Sequence, residues 1–186
     1  MIIKYTFALY IIHSKMKHPL TSFCFCPRCG SSHFPENDEK SNKCADCGFI
    51  FYLNASAAVA AIIVNENREM LLCRRACNPY KGTFDLPGGF VDLDESAEEA
   101  IRREIREETG AEIETIRYFD SFPNIYPYSG FNVHTLDIIF TCSLKADSIL
   151  TPNDDVSEIM FVPFDKIRPE EIKLTSIRKA VEKFLF

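Results

Sequence analysis

The sequence predicts an α/β (α+β) protein in which helices cover a mixed sheet and a small metal-stapled module comes first. Three observations lead to this fold class. Two Cys-x-x-Cys pairs lie near the N-terminus, two apolar runs after position 56 have the character of strands, and a charged stretch at 96–109 has helical periodicity. The predicted parts are an extension at 1–21, the metal module at 22–52 and the main domain at 53–186.

Length and charge narrow the function classes. The chain has 186 residues, enough for one ordinary domain and a small module. Its net charge of −6 disfavours bulk attraction to nucleic acid. No apolar run reaches the roughly 18 residues of a membrane span, so we expect no membrane partner. Residues 1–15 are apolar, but no small-residue cleavage site follows them. We interpret them as an upstream extension, a mis-assigned start, or a packed or frayed tail.

Four of the eight cysteines predict a structural zinc site. Cys26-Pro-Arg-Cys29 and Cys44-Ala-Asp-Cys47 are two pairs of thiolates at the spacing that grips one tetrahedral Zn²⁺, and a glycine follows each pair. The alternative interpretation is free buried cysteines or a redox pair. Paired Cys-x-x-Cys units indicate metal rather than a disulfide framework, so we expect a reducing, cytoplasmic location.

The next elements follow from hydrophobic patterning. The runs AAVAAIIV and EMLLCRR predict two strands joined by a turn at 65–67. Residues 75–83 are predicted to form a loop, and 84–92 to be extended but broken by Pro87-Gly88-Gly89. Further strands are expected at 111–120, 131–144 and 160–163, with a loop at 121–130. The last twelve residues, TSIRKAVEKFLF, predict an amphipathic helix.

The stretch at 96–109 carries the signals of a capped helix. Ser96 is a plausible N-cap, Glu99 lies three residues on as its capping-box partner, and Gly110 fits the C-terminal cap. One face has apolar residues at helical spacing, namely Ala97, Ala100, Ile101 and Ile105.

The same helix predicts a magnesium site. Glu104, Glu107 and Glu108 lie at i, i+3 and i+4, so one face carries all three carboxylates. Hard oxygen ligands on one face suit Mg²⁺ or Mn²⁺. Gly88 and Gly89 ahead of the helix allow close approach of the backbone to the carboxylates or to a ligand. The alternative is a solvated helix, because arginines are interspersed among the glutamates.

These residues resemble the Nudix box. Gly89, Glu95, Arg103-Glu104-Ile105, Glu107-Glu108 and Gly110 occupy the charged and glycine positions of that pattern, and Ala111 stands where the family prefers a larger aliphatic residue. The resemblance covers residues 57 to about 165. It implies a Nudix α/β/α sandwich behind a zinc ribbon. It also implies hydrolysis of a nucleoside diphosphate linked to another moiety.

The resemblance also implies roles for individual side chains. Glu107 and Glu108 would ligate Mg²⁺ or Mn²⁺, and Glu104 would be a ligand or the base that activates water. Arg103 would orient a catalytic glutamate, while Glu95 would support the loop–helix geometry or a second ion.

The order of a zinc ribbon followed by a Nudix domain resembles that of the NADH pyrophosphatase branch of the family. That branch has a Ser-Gln-Pro-Trp-Pro-Phe-Pro-x-Ser motif after the box, where this chain reads SFPNIYPYS from Ser121. Asn124 replaces the tryptophan of the motif and Tyr126 keeps an aromatic ring. We predict a substrate-binding set of Gly88, Gly89, Ser121, Asn124, Tyr126 and Arg74.

Four further expectations concern Asp155, the substrate class, a non-catalytic rival and the oligomeric state. By the same resemblance, Asp155 aligns with an acidic residue that the NADH pyrophosphatase branch uses near the metal. The alternative is that the DDVSE segment is an ordinary exposed acidic turn. Dinucleotides such as NADH or NAD are the first substrate class, followed by ADP-ribose, nucleoside triphosphates and RNA ends. A non-catalytic metabolite sensor is the rival from another class. Relatives in this family are often dimers, so a homodimer is an open expectation.

Overall fold

The structure is a computed structural model that describes residues 18–186, so most of the predicted extension lies outside the described residues. The chain divides into two compact units between Asn54 and Ala55. Within the described range, no helix is both long and apolar enough to cross a membrane.

The first unit is a small antiparallel sheet beside a cysteine cluster. Its strands are β1 (Glu36–Asp38), β2 (Ser41–Lys43) and β3 (Ile50–Tyr52), in the spatial order β1-β2-β3. Among residues 18–54, Phe34 is the one fully buried aromatic side chain of the core, and partly buried Phe49 and Phe51 pack against it. A core this small does not normally stabilise a fold without a bound metal ion or disulfides.

The second unit contains two three-stranded sheets and two main helices. Their spatial orders are β4-β8-β7 and β6-β5-β9, and only the β4–β8 pair is parallel. The elements are β4 (Ser56–Ile63), β5 (Glu69–Arg75), β6 (Phe84–Asp85), α1 (Ala97–Thr109), β7 (Ile113–Tyr128), β8 (Phe131–Leu144), β9 (Val156–Pro163) and α2 (Thr175–Leu185). Short 3₁₀ turns at 164–166 and 169–171 precede α2.

Strand alternation sorts the core into two layers. Residues 59, 61 and 63 of β4 pack with the apolar face of α1, and residues 60 and 62 pack with α2. Side chains of successive strand residues point to opposite sides, so each helix covers one side of the strands. The predicted α/β/α sandwich with a mixed sheet is therefore confirmed.

The caps of α1 are those that the sequence predicts. The Ser96 hydroxyl accepts from the Glu99 N–H, and the Glu99 carboxylate accepts from the Ser96 N–H at 2.9 Å. Gly110 is left-handed, with φ 70°, and its N–H donates to the carbonyl of Arg106. A capped, amphipathic helix fixes which of its residues face the sheet.

The predicted loop at 121–130 is wrong. β7 continues to Tyr128 and pairs with β8 as far as Phe131, which leaves only residues 129–130 for the turn. The prolines at 123 and 127 lie in β7, an edge strand of its sheet, which is where strand prolines are found because an N–H that points away from the neighbouring strand makes no ladder bond. The last strand also begins earlier than predicted, at Val156 rather than Met160.

Candidate active site

The three glutamates of α1 that form the predicted magnesium face lie in different environments. Glu108 is only 5% exposed, and its carboxylate accepts the Gly88 N–H at 2.9 Å. Burial raises the pKa of Glu108 to about 9, and the neighbouring Glu104 carboxylate adds to this. Burial also raises the pKa of Glu104 above its ordinary value. The Glu107 side chain is about half exposed, at 48%.

Arg103 connects these carboxylates to the loop before the helix. Its guanidinium binds Glu95 through two hydrogen bonds, of 2.9 and 3.0 Å. It also donates to Glu104 at 2.8 Å, to Glu107 at 3.1 Å and to the Phe90 carbonyl at 3.0 Å. Such a planar, multidentate cation fixes several carboxylates at once, which a lysine could not do.

The two glycines lie where a side chain would collide. A Cβ on Gly89 would be 2.4 Å from a carboxylate oxygen of Glu104. A Cβ on Gly88, at φ 149°, would be 2.1 Å from the backbone carbonyl oxygen of Val59. Gly89 therefore makes room for the acidic face of α1, and Gly88 allows the loop to lie against β4.

A loop after β8 brings two more carboxylates to the same cavity. The backbone of 151–153 hydrogen-bonds to the carbonyls of Thr109 and Glu108, so the end of α1 positions this loop. Asp154 and Asp155 both line the cavity, and Asp155 accepts from the Cys77 thiol at 3.0 Å.

The donor set fits a hard divalent cation. Carboxylate oxygens are the ligands that Mg²⁺ and Mn²⁺ prefer, and Mg²⁺ keeps several waters, so it does not need a tight protein cage. Glu108 has no cationic partner within the described chain, and a buried carboxylate without one is costly. The side chains that could hold the cation are Glu104, Glu107, Glu108, Asp154 and Asp155.

The remaining wall of the cavity comes from strands and from α2. The volume of this cavity is about 520 Å³. Gly88, Gly89, Asn124 and Tyr126 of the predicted substrate-binding set line it. Paired strand residues share a face, so Asn124 and Tyr126 point inward while Pro123, Ile125 and Pro127 of β7 are exposed.

Five predicted site residues of the second unit do not line the cavity, namely Arg74, Glu95, Arg103, Glu107 and Ser121. Arg74 pairs with Glu158 at 2.9 Å and lies over the Phe84 ring. Ser121 is half-buried on β7, and Glu107 contacts the site through Arg103.

The structure brings in residues that the sequence reasoning did not single out. Arg75, rather than Arg74, faces the cavity, where it pairs with buried Asp85 at 2.6 Å and donates to the Tyr126 hydroxyl at 2.9 Å. Asp137 of β8 is buried in the same wall. A charged residue inside an apolar strand pattern was the available signal for Asp137. No sequence signal distinguished Arg75 from Arg74. Successive residues of β5 point to opposite sides, and the sequence does not show that the side of Cys73 and Arg75 borders the cavity.

In the first unit, the four predicted zinc ligands form one cluster. Their sulfur atoms all lie within 4.8 Å of one another, and within residues 18–186 no other group of potential ligand atoms is that tight. The Cys26–Cys47 and Cys29–Cys44 sulfur distances are 3.7 and 3.6 Å. A tetrahedral site with Zn–S bonds of about 2.3 Å requires about 3.8 Å. The cluster is therefore compatible with zinc.

Two matching turns build this cluster. Gly30 and Gly48 both have φ 74°, and their N–H groups donate to the carbonyls of Cys26 and Cys44. The Cys47 N–H lowers the pKa of the Cys44 thiol, which favours the thiolate that binds metal, whereas, despite the opposing Ser31 N–H, the neighbouring cysteine side chains raise the pKa of Cys29.

Comparison with known proteins supports the Nudix fold and the resemblance to the Nudix box. The NUDIX domain profile matches residues 55–184, which is most of the chain. The chain belongs to the Nudix family. A crystal structure of a NUDIX hydrolase from Nitrosomonas europaea has a TM-score of 0.65 at 26% identity and covers 87% of this chain and 89% of its own.

Two relatives of this chain are named as hydrolases of nucleotide-derived compounds. The NAD-capped RNA hydrolase NudC of Haemophilus influenzae is 28% identical over 158 residues, which are 84% of this chain and 57% of that protein. The ADP-ribose pyrophosphatase of Methanocaldococcus jannaschii is 36% identical over 118 residues, 62% of this chain and 66% of that enzyme. The chain spans little more than half the length of this Haemophilus influenzae relative.

Proposed function

We propose that this Nudix protein hydrolyses the phosphoanhydride bond of a nucleoside diphosphate linked to another moiety, with Mg²⁺ or Mn²⁺ as cofactor. The observation that carries the proposal is the arrangement around Arg103. One guanidinium holds Glu95, Glu104 and Glu107 beside a cavity that buried Glu108 also lines.

The chain supplies binding, orientation and a base. A divalent cation at the carboxylates would neutralise the pyrophosphate oxygens and lower the pKa of water. Glu104 lies beside the cavity with a raised pKa, so its carboxylate is suited to accept a proton from the attacking water. Arg103 keeps that carboxylate in place, and Glu95 holds Arg103. The water oxygen bonds to phosphorus, and the bridging oxygen leaves with the second phosphate.

Dinucleotides such as NADH or NAD are the first substrate class. The NudC relatives act on an NAD-derived structure, and the archaeal relative acts on ADP-ribose. Both names describe a nucleoside diphosphate with a second moiety. The cavity volume of about 520 Å³ lies within the range of small-molecule sites.

The name of the NudC relatives favours a second candidate, the same bond at the 5′ end of an NAD-capped RNA. The net charge of −6 does not favour a long RNA partner. Free nucleotide is therefore the first choice, and a capped RNA is one arm of the test.

Further proposals concern the zinc site of the first unit, the cellular location and the oligomeric state. Cys26, Cys29, Cys44 and Cys47 would hold a structural Zn²⁺, because four thiolates leave no open position for substrate. All eight cysteines are free of disulfides, which fits a reducing cytoplasm. A homodimer stays a prediction from the family resemblance.

The test is a hydrolysis panel with purified protein and Mg²⁺. It contains NADH, NAD⁺, ADP-ribose, a dinucleoside polyphosphate, nucleoside triphosphates and a short NAD-capped RNA, with products separated by chromatography. Glu107→Gln removes a candidate ligand, and Glu98→Gln is the matched control, an exposed glutamate on the same helix.

We expect NADH to give AMP and reduced nicotinamide mononucleotide, with loss of at least about 100-fold in Glu107→Gln and none in Glu98→Gln. Preference for another compound would keep the chemistry and change the substrate. Binding without cleavage of any compound would favour the sensor alternative.

A further inference from the structure

A second polar cluster lies in the cavity wall, on elements other than the glutamate-bearing face of α1. It consists of Asn124 on β7, Thr135 and Asp137 on β8, and Ser176 on α2, and we call these four residues the polar wall. All four are at most 9% exposed, and the first three line the cavity. None of them belongs to the predicted cation-binding set, so the polar wall needs a separate explanation.

The carboxylate of the polar wall has no cationic partner within the described chain. Thr135 donates to one oxygen of Asp137 at 2.5 Å, and the Ser176 hydroxyl donates to the other. The nearby guanidinium of Arg75 is engaged by Asp85 and by the Tyr126 hydroxyl. A carboxylate can accept about four hydrogen bonds, so Asp137 keeps free acceptor positions in a buried wall.

Residue Asn124 is only 9% exposed, and its side chain makes no hydrogen bond within the described residues. It pairs in register with Thr135, so both side chains lie on the face that lines the cavity. Asp137 lies two residues further along β8, on the same face. The polar atoms of Asn124 are accessible from the cavity, so a bound ligand can pair with both the amide oxygen and the amide N–H₂.

We propose that the polar wall binds a planar group that carries an N–H₂ donor next to an acceptor, as in a 6-aminopurine or a carboxamide. The Asn124 amide pairs with both the donor and the acceptor of that edge, as asparagine does with adenine. Asp137 accepts the second N–H of the amino group. Phe90 and Tyr126, which meet edge to face with centroids 5.8 Å apart, supply the apolar flank.

The inference rests on the proposed function and deepens it, because NAD contains both kinds of edge. Adenine carries the first and the nicotinamide carboxamide carries the second. An oxo or carboxylate oxygen in place of the amino group would face the Asp137 carboxylate and leave Asn124 mismatched. The polar wall therefore predicts discrimination against one of the two deaminated analogues.

The experiment measures binding by calorimetry without added divalent cation, so that turnover plays no part. The ligands are NAD⁺, nicotinamide hypoxanthine dinucleotide and nicotinic acid adenine dinucleotide. The variants are Asn124→Ala and Asp137→Asn. The control is Asn132→Ala, an exposed asparagine of the same hairpin. Asn124→Ala removes no internal hydrogen bond, so we expect it to fold, and circular dichroism checks this.

We expect NAD⁺ to bind about 10- to 100-fold more tightly than one analogue, and the weaker analogue identifies the end that the polar wall holds. The ratio should fall to within about threefold in Asn124→Ala and Asp137→Asn and persist in Asn132→Ala. Equal affinities for all three compounds, no binding of any, or an unchanged ratio in both wall variants overturns the inference. A separate Mg²⁺ assay distinguishes the two failures. Turnover without discrimination refutes only the polar wall, and discrimination without turnover refutes only the hydrolase.

Discussion

Removing the ionisable group of Glu108 should stabilise the protein in the absence of divalent cations. Its side chain is 5% exposed, and burial moves its pKa from an ordinary 4.5 to about 9. The folded state therefore keeps a proton that the unfolded state loses near pH 4.5. The contribution of protonated Glu108 to the free energy of unfolding is fully present below pH 4.5 and is lost as the pH rises towards 9.

The size of the effect follows from the same shift. At pH 7 the pH is about 2.5 units above the ordinary pKa of 4.5. At 1.36 kcal/mol per unit, this corresponds to about 3 kcal/mol of unfolding free energy. Glu108→Gln has nothing to ionise, and its amide oxygen can still accept the Gly88 N–H. We expect the variant to be more stable than the wild type by up to about 3 kcal/mol at pH 7, with little difference near pH 4.5.

Urea unfolding at pH 5, 7 and 8 without added divalent cation measures this difference. The control is Glu107→Gln, which alters a half-exposed glutamate of the same face and should change stability by less than about 1 kcal/mol. Added Mg²⁺ should stabilise the wild type more than Glu108→Gln. A variant that is no more stable than the wild type at pH 8, or a difference independent of pH, would refute the reasoning.

Three further predictions concern the glycines, the zinc cluster and the helix cap. Gly88→Ala forces a Cβ against backbone and should cost more than about 3 kcal/mol in urea unfolding, whereas Gly89→Ala displaces only the Glu104 side chain. Gly89→Ala should keep its melting temperature and lose at least about tenfold in turnover, and normal turnover would contradict this account. Cys44→Ser should abolish the one equivalent of zinc measured by elemental analysis and expose the first unit to proteases, and a retained zinc equivalent would exclude the four-sulfur site. Ser96→Ala should lower stability by about 1 kcal/mol, seen as a drop of a few degrees in melting temperature, and an unchanged melting curve would contradict the cap.

Features set by local chemistry were predictable from the sequence. The capping box of Ser96 and Glu99, the left-handed Gly110 and the apolar stripe of α1 depend on residues within one helix. The two Cys-x-x-Cys pairs likewise encode their own turns, because the glycine after each pair adopts the left-handed conformation. These signals were enough to place the helix and the cysteine cluster.

Features that depend on partners were not predictable. The prolines at 123 and 127 look like loop residues until β7 is known to be an edge strand. Arg75 faces the cavity and Arg74 does not, because successive residues of β5 point to opposite sides, and only the folded structure shows which side borders the cavity. The burial of Asp137 depends on α2, which contributes Ser176 from 39 positions further along the chain.

The most direct test of the central claim is a Mn²⁺ titration followed by electron paramagnetic resonance, which reports binding at the acidic face without relying on turnover. The titration compares the wild type with Glu98→Gln and with the double variant Glu107→Gln/Glu108→Gln. We predict that the wild type and Glu98→Gln bind Mn²⁺ equally and that the double variant loses this binding. Equal Mn²⁺ binding by all three proteins would contradict the assignment of the cation to these glutamates.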